Sequence, residues 1–242
     1  MKDKLTAKQA AKRAFKDAAY GQLARIGKAV ASPKRLELLD LLCQTERSVE
    51  SLAEETKMTF ANTSQHLQEL QAARLVETSK RGRYVVYRLA DPLVCDFFRT
   101  FRLLAEDRLA EIDSIRRRFF DDGVPVAAVD RTKLLQRVRG NEAIIIDVRP
   151  QEEYVAGHIA SAVNIQLEEL QKRLKELPLS KEIVAYCRGP FCVLAKEAVD
   201  LLRSRGYRAS RLEDSVQDWL AHGLPVATGE QPSEKRNSHS TQ

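Results

Sequence analysis

The sequence predicts two domains: a mainly α winged helix-turn-helix with a β-hairpin wing, followed by an α/β domain on a parallel sheet. Three observations lead there. The chain has 242 residues, a length that suits two domains. Up to about Arg118 its apolar residues recur at helical spacing, broken once by two β-rich runs around Lys80-Arg81-Gly82-Arg83. Beyond Asp121-Asp122-Gly123-Val124-Pro125, which combines acids, a helix-stopping glycine and a proline, apolar strands alternate with helical patterns. The expected boundaries are 1–122, 123–228 and a polar, disordered tail at 229–242.

In chain order, a first helix covers AKQAAKRAFKDAA, with Gly21 as a break or bend. Ser32-Pro33 opens a second helix, a cap residue followed by proline at the first turn, with Leu36, Leu38, Leu39, Leu41 and Leu42 as its apolar face. Ser48 caps SVESLAEET, and Thr59 caps FANTSQHLQELQAAR. The hairpin follows, and then Asp91-Pro92 opens a long helix through Phe120. In the second domain the order is helix DRTKLLQRV, strand AIIIDV, helix LEELQKRLKEL, strand EIVAY, helix VLAKEAVDLLRSRG and a short strand near YRASRL.

Composition narrows the function classes. Hydrophobic residues at 43% rule out a wholly disordered chain. No run of about 18 apolar residues exists, so no membrane span is expected. The segment MKDKLTAKQAAKRAFKDAAYGQ is charged throughout and does not read as a secretory signal. Four cysteines are too few for a disulfide scaffold, which points to a reduced cytoplasmic compartment. The net charge of +6 sits almost wholly in residues 1–123, with 23 Lys and Arg against 18 Asp and Glu.

Two short helices, a tight turn and a hairpin form a DNA-reading unit. The second helix enters the major groove and the wing lies on the backbone. In FANTSQHLQEL, Leu67 and Leu70 turn inward with Met58, and Thr59, Ala61, Asn62, Ser64, Gln65 and His66 turn outward. Asn, Gln and His address base edges, Ser and Thr bind phosphate, and Lys80, Arg81 and Arg83 neutralise phosphates at the wing tip. A helical protein-interaction module with a solvated polar face is the bland alternative. The segment from Ser48 to Leu89, with Ser64-Gln65-His66-Leu67, Leu75-Val76 and Gly82-Arg83-Tyr84-Val85-Val86-Tyr87, resembles the ArsR family of bacterial transcriptional repressors over roughly residues 18–118. The resemblance implies a double-stranded DNA operator and a homodimer built from the first and last helices. Phe97, Phe98, Phe101, Leu104 and Leu109 suit such a dimer helix.

Members of that family often sense metals. Here SVESLAEET has no cysteine pair and the long helix has no histidine, so no metal is expected. Cys43 and Cys95 remain, either as small buried hydrophobes or as a thiol sensor pair, which requires Cα atoms within about 7 Å.

In EIVAYCRGPFCVLAKEAVDLL, Cys187 ends a buried strand and a helix begins near Val193. Loop amides, the helix N-terminus and Arg188 are expected to lower its pKa. The alternative is a structural cysteine at a tight turn. Asp147-Val148-Arg149-Pro150, Glu153-Tyr154, Gly157-His158-Ile159, Tyr186-Cys187, Trp219 and Gly223-Leu224-Pro225-Val226 resemble a single rhodanese domain over roughly residues 126–227. The resemblance implies that Cys187 takes a sulfane sulfur as a persulfide and a thiol acceptor removes it, with no cofactor. Arg188 and the loop Gly189, Pro190, Phe191, Cys192 and Val193 would hold an anionic donor or the persulfide. Asp147, Arg149 and His158 read as structural.

Two departures stand out. Cys192 occupies the place of a sulfonate-binding arginine, which weakens the expectation of thiosulfate turnover and offers a resolving thiol instead. Asp214-Ser215 replaces the usual two-glycine turn before the last helix. The sequence thus points to a DNA-binding repressor whose rhodanese domain senses or transfers sulfur. The alternatives are a sulfurtransferase that uses the first domain to dimerise or localise, and a regulator with a catalytically silent rhodanese domain.

Overall fold

The computed structural model describes residues 2–120 and 131–230, with side chains from residue 8 onward. The chain divides into two compact units, Met1–Arg102 and Leu103–Gln242. That division lies upstream of the boundary read from the sequence. The Asp121–Pro125 segment lies outside the described residues, as does the tail beyond Glu230.

The first unit opens with α1 (Lys2–Val30), followed by α2 (Pro33–Gln44), β1 (Arg47–Ser48), α3 (Val49–Thr56) and α4 (Phe60–Ala72). The hairpin β2 (Val76–Arg81) and β3 (Tyr84–Leu89) follow, and then the helix α5 (Pro92–Arg108), whose residues past Arg102 fall in the second unit. Gly21 does not break α1. It faces open space, and the helix formers around it carry the helix on to Val30. Ser32 takes the extended N-cap conformation but its hydroxyl caps nothing; Pro33 supplies the start of α2. Ser48 and Thr59 do cap, accepting from the Ser51 and Asn62 amides at 3.2 and 3.3 Å. The hairpin register pairs Arg81 with Tyr84, so Gly82 and Arg83 form a two-residue turn. Gly82 has φ +61, as the first central residue of such a turn requires. Leu38, Leu39, Leu52, Leu67 and Leu70 are fully buried in one cluster with Val76 and Tyr87.

The expected long helix is two helices, because the chain tightens at Leu109 before α6 (Ala110–Phe120) begins. There the Leu109 amide still reaches the Ala105 carbonyl, while the Ile112 amide takes Leu109. Helix α6 belongs to the second unit, since Arg116 ion-pairs Glu213 and the Phe120 ring lies 3.9 Å from the Arg211 guanidinium carbon.

The second unit continues through α7 (Arg131–Arg139), β4 (Ala143–Asp147), α8 (Gln151–Ala156), β5 (His158–Ile159), β6 (Val163–Asn164) and α9 (Leu167–Arg173). After a 3-10 turn come β7 (Glu182–Tyr186), α10 (Leu194–Ser204), β8 (Ala209–Arg211), α11 (Val216–Ala221) and β9 (Val226–Ala227). The parallel sheet has the order β6-β4-β7-β8, and β5 pairs antiparallel with β9. Apolar clusters cover both sheet faces. Ile183, Ala185 and Cys187 lie in one with Ala195, Ala198 and Leu202 of α10, while Val184 and Tyr186 lie in the other with Trp219. Burial on both faces explains why β4 and β7 read as unbroken apolar runs.

No helix among the described residues is long and apolar enough to cross a membrane. Among them, no cluster of three or more His, Cys, Asp or Glu is placed to hold a metal.

Candidate functional site

The α4 face carries the residues expected to read DNA. Ala61, Asn62 and Gln65 are exposed, and Ser64 and His66 are half-buried. Thr59 is exposed, but its hydroxyl is engaged as the α4 cap. Thr63, which the sequence reading passed over, is buried, and its hydroxyl donates to the Thr59 carbonyl at 3.0 Å. At the wing tip Lys80, Arg81 and Arg83 are all exposed. Arg81 pairs with Glu46 at 2.5 Å, and Arg83 stands over the Tyr84 ring at 5.0 Å and donates to its hydroxyl at 2.8 Å. Exposed Phe60 and Tyr84 add apolar contact area beside these groups.

Cys43 on α2 and Cys95 on α5 come together. The two thiols are within hydrogen-bonding reach, and that bond, burial, and the carboxylates of Asp40 and Asp96 hold Cys43 well above its ordinary pKa.

The second site lies at the carboxyl end of β7, where ligands of open α/β sheets bind. Cys187 is only 1% exposed, and its thiol donates to the Cys192 carbonyl at 3.5 Å. The amides of Gly189 and Ala195 point at its sulfur, and those of Arg188 and Leu194 point at Cys192. Gly189, at φ +137, allows this cradle: any side chain there would be held in a strained backbone conformation, while the Ser215 Cβ, 3.5 Å from where a Cβ would stand, leaves room for ordinary contact.

The electrostatics reverse an expectation. Cys187 is pushed up, by burial first and then by its bond to Cys192. Cys192 is pulled down to about 7, by its bond from Cys187, the Arg188 charge and the amides. Two interacting thiols share one set of amides, and the half-buried one bears the first charge, because burial penalises a thiolate at Cys187 more. Phe191 is exposed, Val193 stands at the edge of the loop, and Pro190 is buried beneath it.

Arg188 is 7% exposed and its guanidinium is engaged by Glu153 at 2.8–3.1 Å, so it acts on Cys192 through its charge. Glu153 also lies 4.0 Å from Arg149, which forks onto Asp147 at 2.6–3.2 Å and donates to the Gly157 carbonyl. The Tyr186 hydroxyl donates to Asp147 at 2.5 Å and accepts from the Ile159 amide. Burial opposes the Arg149 charge, Asp147 overrides it, and the guanidinium pKa ends above its ordinary value. His158 stacks on Tyr154 at 3.7 Å and its Nδ1 meets the Tyr154 carbonyl, which ties it into the frame. Asp214-Ser215 has two anchoring roles: Asp214 forks with Arg131, and Ser215 forms a capping box with Asp218 at the start of α11.

Sequence reasoning missed Arg211 and its neighbours. Arg211 ends β8, is 6% exposed, and pairs with Glu213 at 2.5 Å. Burial pulls its pKa down, while Glu213 and the two loop thiols pull it up. Only the alternation Ala209, Ser210, Arg211 at a strand end hinted at this placement.

Comparison with known proteins fits this division. Residues 32–78 match the model of the bacterial regulatory proteins of the arsR family, and residues 130–222 match the rhodanese-like domain. The HTH-type transcriptional regulator Rv0324 of Mycobacterium tuberculosis is 42% identical over 88% of this chain and 94% of its own length. A sulfurtransferase of Allochromatium vinosum is 29% identical over 43% of this chain and 98% of its own length. The solution structure of the homodimeric winged helix-turn-helix DNA-binding domain of a possible ArsR-family regulator from Mycobacterium bovis is 40% identical. It covers 39% of this chain and 87% of its own, with a TM-score of 0.38. With both halves matched in order, and one relative matched along nearly its whole length, the chain belongs to the ArsR family of bacterial transcriptional regulators, in a form that carries a C-terminal rhodanese-like domain.

Proposed function

We propose that this regulator binds its operator as a homodimer and that its rhodanese-like domain charges Cys187 with sulfur as a signal. The observation that carries this is the Cys187–Cys192 thiol pair under the loop amides, whose first proton is lost near neutral pH. The Cys192 thiolate accepts the Cys187 proton. The Cys187 sulfur then attacks the sulfane sulfur of a donor. A new S–S bond forms, the donor's own S–S bond breaks, and its electron pair leaves with the remaining donor fragment. Cys192, deprotonated again, resolves the persulfide by attacking the Cys187 sulfur and expelling hydrosulfide, which leaves a Cys187–Cys192 disulfide.

Asn62, Gln65 and His66 contact base edges, and Lys80, Arg81 and Arg83 contact phosphates. The exposed Phe97 and Phe101 rings, 6.1 Å apart on α5, are the apolar surface offered to the second copy. The Cys43–Cys95 pair lies within the DNA-binding unit with Cys43 held protonated, so the loop pair takes up the sulfur first.

Signalling requires different DNA affinities in the two sulfur states. The test is a mobility-shift titration with and without polysulfide on wild type and Cys187→Ser, alongside mass spectrometry of the Cys187 peptide. A mass gain of one sulfur atom at Cys187, or the loss of two hydrogens that marks its resolution to the Cys187–Cys192 disulfide, is expected, with an affinity change that is lost in Cys187→Ser. Equal affinity in all four conditions removes the signalling role, and finding neither a sulfur gain nor a Cys187–Cys192 disulfide makes the domain silent.

A further inference from the structure

We propose that Arg211 is the anion-holding residue of the Cys187 site and that the site takes small anionic sulfane-sulfur donors. This rests on the persulfide reading and names the donor class. The β7–β8 register pairs Ile183 with Ala209 and Ala185 with Arg211. Side chains two apart on a strand share a face, so Arg211 stands on the same sheet face as Ala209, Ala185 and Cys187. Arg211 and Cys187 both stand at the carboxyl end of neighbouring parallel strands, outside which ligands of such sheets bind.

Arg211 is 6% exposed, yet its Nη1 has no hydrogen-bond partner. A buried guanidinium nitrogen without a partner is costly, and an anion supplies one. Its other interactions fix its position. Nη2 is held by Glu213, and the Phe120 ring lies 3.9 Å from the guanidinium carbon. Arg116 takes the other oxygen of Glu213, so two arginines share one carboxylate and the group keeps a net positive charge. The loop offers no equivalent. Cys192 has no cationic fork to offer, and the Arg188 guanidinium is engaged by Glu153. Arg211 approaches from the neighbouring strand with the charge that the loop itself does not point at the donor.

With thiosulfate the step balances. The Cys187 thiolate, its proton passed to Cys192, attacks the outer sulfur. A bond forms between the two sulfurs, the bond to the sulfonate sulfur breaks, and the electron pair leaves as sulfite while Arg211 holds the sulfonate oxygens.

The test separates this proposal from the persulfide reading. Calorimetric titration of the full Cys187→Ser chain with thiosulfate should show binding. It should weaken at least ten-fold in Cys187→Ser/Arg211→Met and by less in Cys187→Ser/Arg211→Lys, which keeps the charge but loses the fork. In parallel, sulfur gain at Cys187 from thiosulfate, counted as persulfide plus the Cys187–Cys192 disulfide it resolves to, should slow at least ten-fold in Arg211→Met. Equal affinity with and without Arg211, or a lysine variant as weak as the methionine one, overturns the proposal. So does a sulfur gain that Arg211→Met leaves unchanged, and the persulfide reading then stands alone. Arg211-dependent binding with neither persulfide nor Cys187–Cys192 disulfide formed in wild type keeps the anion site and overturns the persulfide reading.

Discussion

The chain contains two close thiol pairs in opposite electrostatic settings. Cys43 and Cys95 face each other across two helices, near the carboxylates of Asp40 and Asp96. Cys187 and Cys192 face each other within one loop, under four backbone amides and the Arg188 charge. In both, a thiol–thiol bond and burial act on the pair. Each pair has one raised member: Cys43 by its bond to Cys95 and then burial, with Asp40 and Asp96 adding least, and Cys187 by burial and its bond to Cys192. What sets the loop pair apart is that Arg188 and the amides help bring Cys192 down to about 7. Thiol proximity alone therefore does not make a reactive pair.

The two frames differ as well. The first pair is held by helices on a leucine core, whereas the second rests on buried charges running from Asp147 through Arg149 and Glu153 to Arg188. The sharpest break of that frame is Asp147→Ala. It leaves Arg149, 1% exposed, without its closest carboxylate and the Tyr186 hydroxyl without its acceptor. The second unit should lose about 3–5 kcal/mol in urea unfolding. The first unit's transition should not move, and a loss below about 1 kcal/mol would show the network to be dispensable.

Next in size is the pH dependence of the loop pair. Cys192 is deprotonated above about 7, so alkylation of the loop should climb through that pH and level off above it. In Cys192→Ser the climb should move to alkaline pH, because burial raises the remaining Cys187 thiol. At pH 7 that is a fall of at least ten-fold, read by peptide mass spectrometry. A climb that stays at neutral pH would place the first charge on Cys187 instead.

What the sequence revealed follows from how local each feature is. The winged unit was legible because its determinants lie close in the chain: Ser48 and Thr59 as caps, Gly82 in a two-residue turn, Leu67 and Leu70 on one helix face. The strands β4 and β7 were legible because burial on both faces makes them continuously apolar. Gly21 misled because propensity is a weak prior inside a long run of helix formers. Strands of two residues such as β5 and β9 have no period to detect and form only because they find each other. At the site, the cysteines and their loop were contiguous and easily read. The Arg188–Glu153 pair and Arg211 depend on contacts across the fold, so local reading does not reveal that the guanidinium nearest Cys187 in sequence is engaged by Glu153.

The wing gives a smaller effect, outside the thiol chemistry. Arg83 is exposed and held only against Tyr84, whereas Arg81 is already paired with Glu46. Arg83→Ala should weaken operator and random DNA alike and reduce the salt slope by about 1. Arg81→Ala should do less, because Glu46 already offsets part of its charge. The reverse order would show that DNA displaces Glu46.

The smallest expected effect tests the comparison most directly. If carboxylates are what keep the first pair protonated, neutralising one should move it toward the behaviour of the loop pair. Asp96 is exposed, so its field at Cys43 is screened, and Asp96→Asn should speed alkylation of Cys43 only about two-fold at low salt. The gain should vanish near 1 M salt, where the Debye length shrinks to about 3 Å. A gain that persists in high salt would come from loosened packing around α5. No gain at any salt would mean that burial and the Cys95 bond alone silence Cys43, and the contrast between the pairs would then lie in the loop amides and Arg188.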